Sequence, residues 1–300
     1  MEPSRTRAAD WLVLLVLALI WGSSFILMKR GLFHEGQPVL TPFQLASARL
    51  SIAWLTLSPI LFKHYRHLIT HWRPLLGAGV LGNGIPAFLF ATAQTKIDSS
   101  LSGMLNSLSP LMTLLSGALL FGLRFRPVHI IGVVLGLGGA AALIMMKRSD
   151  GMPNWSIYAL LPVIATAMYG INGNIIKTYL YSVPPTAISA LALTFVGPIC
   201  IGLVFASGLP QTVAEHPHGW SAFGHVVVLA VLGSAFALVL WNVLLKRTTA
   251  LWASSVTYLM PIVAIGWGIF DDEVITLAQI GMIALVLGGV YLVSVAERRG

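Results

Sequence analysis

The tripeptide Val80-Leu81-Gly82 recurs as Val231-Leu232-Gly233, and Pro110 recurs as Pro261, each pair 151 positions apart. Between these anchors, Leu81 to Pro110 aligns with Leu232 to Pro261 without a gap, which sets Lys96 opposite Arg247. Upstream, Trp21-Gly22-Ser23-Ser24-Phe25-Ile26-Leu27-Met28-Lys29 aligns with Tyr169-Gly170-Ile171-Asn172-Gly173-Asn174-Ile175-Ile176-Lys177, sharing an aromatic-Gly start and a closing Lys. Downstream, Ile131-Gly132 and Gly139 align with Ile280-Gly281 and Gly288. Shared apolar bias accounts for one such match more easily than for three in register. The chain reads as one unit written twice, residues 1–150 and 151–300.

Composition names the solvent. Of 300 residues 57% are hydrophobic and only 9% charged, and the mean hydropathy is +0.85. Apolar runs of 18 or more residues span a bilayer as helices, because each turn satisfies its own backbone hydrogen bonds. Ten such segments are predicted: Trp11 to Met28, Pro42 to Phe62, Leu75 to Thr95, Ser99 to Phe121, Pro127 to Met146, Ile157 to Ile176, Thr186 to Ser207, Val226 to Leu245, Ala250 to Phe270 and Leu277 to Ala296. Their continuous apolarity argues against a membrane barrel, whose strands alternate with a period of two. The first is read as a span and not a cleaved signal, since it runs on through Trp21-Gly22-Ser23-Ser24-Phe25 without a cleavage site. The expected fold is an all-α integral membrane protein with ten transmembrane helices. Five spans per unit force the second copy to enter from the opposite face, giving two inverted five-helix repeats.

The basic residues orient the chain. The formal net charge is +8, but the cations are scattered at span ends, a pattern of membrane orientation and not of nucleic-acid binding. With both termini in the cytoplasm, twelve of the 18 Lys and Arg fall inside, among them Arg5, Arg7, Lys63, Arg66, Arg73 and Lys177. Five fall outside, and Arg49 is left within span 2, so this orientation is expected. The single Cys200 excludes an intrachain disulfide.

These residues resemble the drug/metabolite transporter superfamily, in its ten-span EamA-type branch, which includes bacterial amino-acid exporters. The resemblance covers almost the whole chain. Its marks are Trp21-Gly22 with Lys29, Arg49 in span 2, Asn106-Ser107-Leu108-Ser109-Pro110 in span 4, and two closing Gly-rich helices with Gly132, Gly136 and Gly139, and Gly281, Gly288 and Gly289. The family's Gly-Glu-Arg-like turn after spans 4 and 9 is altered here to Gly122-Leu123-Arg124 and Asp272-Glu273-Val274, which argues against a role for that turn. The resemblance implies a bacterial inner-membrane exporter of small metabolites, with amino acids as the substrate class.

Polar side chains in mid-span face other helices or a wet cavity, because lipid cannot satisfy them. Asn83, Asn106, Asn172, Asn174 and Asn242 are such candidates, and they occur in both repeats. Each amide serves equally well to join two helices. Trp21, Tyr169, Trp241 and Tyr258 lie well inside spans and are candidates for a cavity wall, with core packing as the competing reading. Trp72, Trp155, Trp220 and Trp252 sit near span ends, as interface anchors do. Arg49 either neutralises a substrate carboxylate, holds a gate, or snorkels outward and braces carbonyls. Lys29 and its repeat mate Lys177 would suit paired gates, or are ordinary end charges.

No Asp, Glu or His falls near a span centre, so facilitated export or exchange is expected without a dedicated proton carrier. No metal helix, Walker loop or Gly-x-Ser-x-Gly elbow is present. Enzyme activity, a cofactor and a metal are therefore not expected. Gly132 and Gly136 suit close helix packing within one chain or between two, leaving monomer and homodimer open. The expected partners are a small-molecule substrate and the lipid bilayer. Alternatives are a lipid or headgroup flippase and a drug or nucleobase exporter, and a membrane enzyme or sensor is less well supported.

Overall fold

The computed structural model describes residues 8–123, 127–146, 157–248, 252–253 and 255–298. The orienting cations Arg5, Arg7, Arg124, Arg126, Lys147, Arg148 and Arg299, the boundary at 150/151 and Trp155 lie outside these residues. Eight of the described helices are long and apolar enough to cross a membrane: α1 (Ala8–Leu32), α2 (Pro42–Thr70), α3 (Trp72–Ala93), α4 (Ser99–Leu120), α5 (Pro127–Met145), α6 (Ile157–Tyr179), α7 (Pro185–Ala206) and α8 (Gly219–Arg247). Two shorter apolar helices follow, α9 (Val256–Phe270) and α10 (Leu277–Leu292). Among the described residues the strands form one two-residue pairing, β1 (Phe33–His34) with β2 (Gln37–Pro38), closed by Glu35 and Gly36 at φ 48° and 78°. Two consecutive positive φ values make the tight turn whose twist suits such a hairpin.

Local chemistry sets the helix ends. Thr41 and Gln44 form a reciprocal capping box at the start of α2, and the Gln44 amide also donates to Ser207 O at 3.0 Å and Thr212 Oγ1 at 2.9 Å. Thr276 and Gln279 make the same box before α10. α2 continues to Thr70, past the expected end at Phe62, because nothing breaks the helix where its apolar character stops. Its 29 residues make a rod of about 43 Å, longer than the hydrocarbon layer of roughly 30 Å. α9 begins in a 3-10 turn, Ser255–Tyr258, just before Pro261.

Both copies of the tripeptide are where a helix widens. α3 becomes π-helical over Val80–Gly84 and α8 over Leu229–Phe236. In α3 the cause is at hand: Pro86 has no N–H to offer the Gly82 carbonyl. The widened turns are also points of closest approach. A Cβ on Gly82 would lie 2.4 Å from Asn172 Nδ2 in α6, and one on Gly233 would lie 2.8 Å from Ser24 Oγ in α1. Gly22 meets Val263 of α9 and Gly170 meets the Met112 backbone of α4, both at 2.5 Å. These positions match in the sequence alignment, so aligned sites make similar contacts. α2 packs on α7, and α5 on α10.

One large core joins α1, α2, α3, α6, α7 and α8, and a smaller one joins α4 with α5 and α10. Outside them, Leu119, Phe270 and Leu277 are more than 80% exposed (81%, 82% and 84%). Bare apolar side chains all round a bundle fit lipid and would aggregate in water.

The two ends of α1 are held differently. At its C-terminal end Lys29 Nζ sits 2.7 Å from Asp271 Oδ2 and 2.8 Å from Glu273 Oε1, and Arg30 reaches Asp271 at 3.1 Å. Glu273 is buried, and it also accepts from Ser99 Oγ at 2.7 Å and from the Ser99 and Ser100 N–H groups at 3.1 Å each. A carboxylate on these first N–H groups of α4 caps the helix where its dipole favours negative charge. The altered turn, given no role by the family pattern, is thus the clamp that ties α1, α4 and the α9–α10 connection. At the N-terminal end Arg247 lies 3.5 Å from the buried Asp10. There Lys177 donates to the carbonyls of Leu245 (2.9 Å) and Thr248, and Lys246 to those of Leu180 (2.7 Å) and Tyr181.

Two outcomes follow from this packing. Gly170→Ala places a methyl against fixed backbone and is expected to cost about 1–3 kcal/mol of stability in detergent unfolding. Gly138→Ala, which meets nothing within 4 Å, is expected to be neutral or to gain up to about 1 kcal/mol; equal losses would contradict the contact. Burial pushes the Glu273 carboxyl up, but the bonds from Lys29, Ser100 and Ser99 outweigh it and hold the group below the usual carboxylate range. Its stabilisation is therefore full above the unfolded value of about 4.3 and is lost as pH falls through the lower folded value. Glu273→Gln is expected to cost about 1–3 kcal/mol near pH 7, and its gap from wild type should close as unfolding is measured below about pH 4. A gap independent of pH would count against the clamp.

Candidate functional site

Between the two ends of the bundle lies a cavity walled by α1, α2, α3, α4, α6, α8 and α9, with ≈ 950 Å³ of empty volume including its open part. One wall is aromatic. Trp21 and Trp241 stand 5.5 Å apart between ring centroids, Phe25 and Phe90 5.8 Å, and Phe90 stacks on Tyr169 at 6.1 Å. Trp21 is fixed by donating its indole N–H to Gly233 O, a carbonyl of the π-helical turn, at 2.9 Å. Its orientation is thus set by the widening of α8.

Opposite in chemistry is Arg49. Its Nε donates to Ser234 Oγ at 2.7 Å, across the α2–α8 contact. Tyr169 lies in electrostatic range of the guanidinium. No carboxylate among the described residues pairs with it, and it is the one charged residue among those lining the cavity. Arg49 therefore neither snorkels to an interface nor braces the backbone through Nε. The guanidinium lines the cavity, and a planar fork of this kind suits a carboxylate.

The amides complete the wall. Asn83 and Asn172 come from α3 and α6, and Asn106 from α4, where Pro110 withholds an N–H from the Asn106 carbonyl. That carbonyl accepts from Ser109 Oγ at 2.8 Å, and Asn106 Nδ2 reaches Met260 Sδ at 3.5 Å. Asn83 Nδ2 makes only a long contact to Ala78 O, 3.4 Å, and the buried Asn172 Oδ1 has no hydrogen-bond partner. Such amides are available to a ligand at small cost.

Of the residues singled out by sequence, Trp21, Arg49, Asn83, Asn106, Tyr169, Asn172 and Trp241 stand on this one wall. The others do not. Asn242 donates to Ser189 Oγ at 2.8 Å, tying α8 to α7, and lines a smaller neighbouring void. Tyr258 donates to Val290 O at 2.9 Å, tying α9 to α10. Lys29 belongs to the clamp at the end of α1. Asn174 spends its amide on Thr113 O, Ser116 Oγ and Gly170 O, joining α6 to α4. Sequence reasoning missed Ser24, Phe25, Phe90, Ser234 and Thr257, all of which line the cavity. Alignment of the repeats held a signal for two of them: Ser24 is the mate of Asn172, and Ser234 the mate of Asn83.

No three His, Cys, Asp or Glu side chains among the described residues converge as a metal site. The cavity offers one fixed positive charge, amide and hydroxyl groups, and ring faces. It can hold and orient a small molecule and has no nucleophile with a base beside it.

The model of the EamA-like transporter family matches residues 10–145 and again 156–295. An Escherichia coli (strain K12) protein named uncharacterized inner membrane transporter YedA is 27% identical, covering 95% of this chain and 90% of that protein. A protein of the same strain named probable amino-acid metabolite efflux pump is 23% identical, covering 94% of each. A Brucella anthropi riboflavin transporter is 26% identical over 62% of this chain and 64% of that one. A solved crystal structure, 19% identical, superposes with a TM-score of 0.62 over 98% of this chain and 99% of the other, a likeness of fold. With the family model matched twice along a helical, lipid-suited bundle, the chain belongs to the EamA-like transporter family of the drug/metabolite transporter superfamily, and it is a multi-pass membrane transporter.

Proposed function

We propose that this protein exports small carboxylate-bearing metabolites, amino acids among them, across the inner membrane by alternating access. In this reading ten spans form two inverted five-helix repeats, 1–150 and 151–300, with both termini in the cytoplasm and the cavity near the midplane between them. The observation that carries the substrate reading is Arg49: a guanidinium inside the bundle, held by Ser234 and lacking a carboxylate, beside rings and amides. A carboxylate entering there gains a charge-assisted bond that water would otherwise supply, and the rings receive the apolar body. The relatives named as an amino-acid metabolite efflux pump and an inner membrane transporter point the same way.

The repeated contacts support the inverted pair. Gly22 on Val263 mirrors Gly170 on Met112, and Ser24 on Gly233 mirrors Asn172 on Gly82. A pseudo-symmetric bundle can exchange the roles of its halves, closing one end as the other opens. The ends differ in what closes them: carboxylates hold Lys29, whereas its mate Lys177 has backbone carbonyls. The cavity wall carries no Asp, Glu or His, which supports facilitated flux or exchange over proton-driven pumping. A second substrate reading, a flat aromatic solute, draws on the Trp21, Trp241, Phe90 and Tyr169 rings and on the relative named riboflavin transporter.

Counterflow into proteoliposomes preloaded from an amino-acid panel is the test. Arg49→Gln, Asn83→Ala and Trp241→Ala are each expected to reduce flux at least tenfold while the unfolding midpoint holds. Unchanged flux in all three removes the site, and accumulation driven by an imposed pH gradient removes the uncoupled mechanism. For topology, single cysteines placed at the two termini in a Cys200→Ser background are expected to react with an impermeant maleimide only from the cytoplasmic face. Labelling from opposite faces would end the ten-span reading.

A further inference from the structure

We propose that the cavity sorts its ligands by net charge, ranking an organic monoanion above the zwitterion of the same shape and excluding the cation. This rests on the transport reading above and narrows its substrate class from amino acids toward small monocarboxylates with an apolar or aromatic body. The argument is a charge balance. Arg49 is the single ionic group lining the cavity, and no lining residue is acidic. The acids at the two ends of α1 are committed elsewhere: Asp271 and Glu273 to Lys29, Arg30 and the start of α4, while Asp10 faces Arg247.

A bare carboxylate on Arg49 leaves the occupied cavity neutral. A zwitterion brings the same carboxylate together with an ammonium that must also leave water, and for that ammonium the wall has only partial charges. Two of the carbonyls exposed by helix breaks are already engaged, Gly233 O by the Trp21 indole and Asn106 O by Ser109. Ring faces of Trp21 and Trp241 attract a cation, but more weakly than desolvation repels it in the absence of a counter-ion. The same guanidinium that draws the carboxylate repels the ammonium at close range. For a cation without a carboxylate, repulsion remains and the attraction is gone. Arg49 is then a specificity residue as well as an anchor, and the missing acid does as much as the present base.

Three probes of one skeleton separate these terms: 3-phenylpropionate (anion), phenylalanine (zwitterion) and 2-phenylethylamine (cation), titrated calorimetrically against the full-length protein in nanodiscs at neutral pH. The expected order is 3-phenylpropionate at least tenfold tighter than phenylalanine, with 2-phenylethylamine weakest. Arg49→Gln should collapse that order and Arg49→Lys should preserve it, with thermal unfolding of both variants checked to confirm that they remain folded. Phenylalanine binding as tightly as 3-phenylpropionate, an anion preference that survives in Arg49→Gln, or no binding by any of the three would overturn the inference. Counterflow keeps the two readings apart. Phenylalanine flux without anion preference retains the transporter and removes the charge filter, whereas anion-selective binding without flux does the reverse.

Discussion

In hydrocarbon a backbone carbonyl that loses its helical partner must find another donor, and the Trp21 indole N–H supplies one to Gly233. Much of the site follows from that bond. The π-helical widening of α8 that presents Gly233 also brings Ser234 to Arg49 and sets Gly233 against Ser24. α1, α2 and α8 are thus joined by the Trp21 indole on a carbonyl of the widened turn and by the Arg49 guanidinium on the Ser234 hydroxyl beside it. Extra turns of this kind recur at functional sites because they redirect polar groups without exposing an edge to lipid.

The same economy governs the other polar groups of the interior. Asn174 joins α6 to α4, Asn242 joins α8 to α7, and Tyr258 joins α9 to α10, each by donating to a group on the neighbouring helix. Interhelical hydrogen bonds replace in lipid the hydrophobic effect that assembles a soluble core. Where the chain leaves an amide less fully engaged, as at Asn83 and Asn172, or a guanidinium without a carboxylate, as at Arg49, the group lies on the cavity wall. Asn242 shares both characters, its amide nitrogen joining α8 to α7 while its buried Oδ1 has no hydrogen-bond partner beside the smaller void.

Charge is distributed by the same rule. Lys29, Arg30, Asp271 and Glu273 satisfy one another at one end of α1, and Glu273 further satisfies two N–H groups of α4. The alignment sets Gly122-Leu123-Arg124 opposite this acidic turn, and the Lys177 ammonium rests on carbonyls of Leu245 and Thr248. The aligned positions thus differ at the ends of the bundle while Gly22 and Gly170 keep equivalent packing. Glycine is required at both because the neighbour, a branched side chain in one case and backbone in the other, occupies the place of a Cβ.

The long apolar helices were legible in the residues themselves, because a bilayer demands them, and the residues that match at fixed offsets, Gly82 with Gly233 and Gly22 with Gly170, all proved to be points of close helix approach. Span placement also drew attention to Trp21, Arg49, Asn83 and Tyr169 as polar or aromatic groups deep in apolar segments. It did not separate Asn172 from Asn174, which stand two residues apart on one helix: their side chains point about 160° apart, and only packing shows that one meets Gly82 and the cavity while the other meets Thr113. Nor did it give Glu273 a purpose, since the partners Lys29 and Ser99 are far away in sequence. What the chain determined alone was the set of segments that must leave water; which polar groups face each other, and which face nothing but the cavity, was decided by tertiary structure, because a hydrogen bond depends on distance in space and not on spacing along the chain.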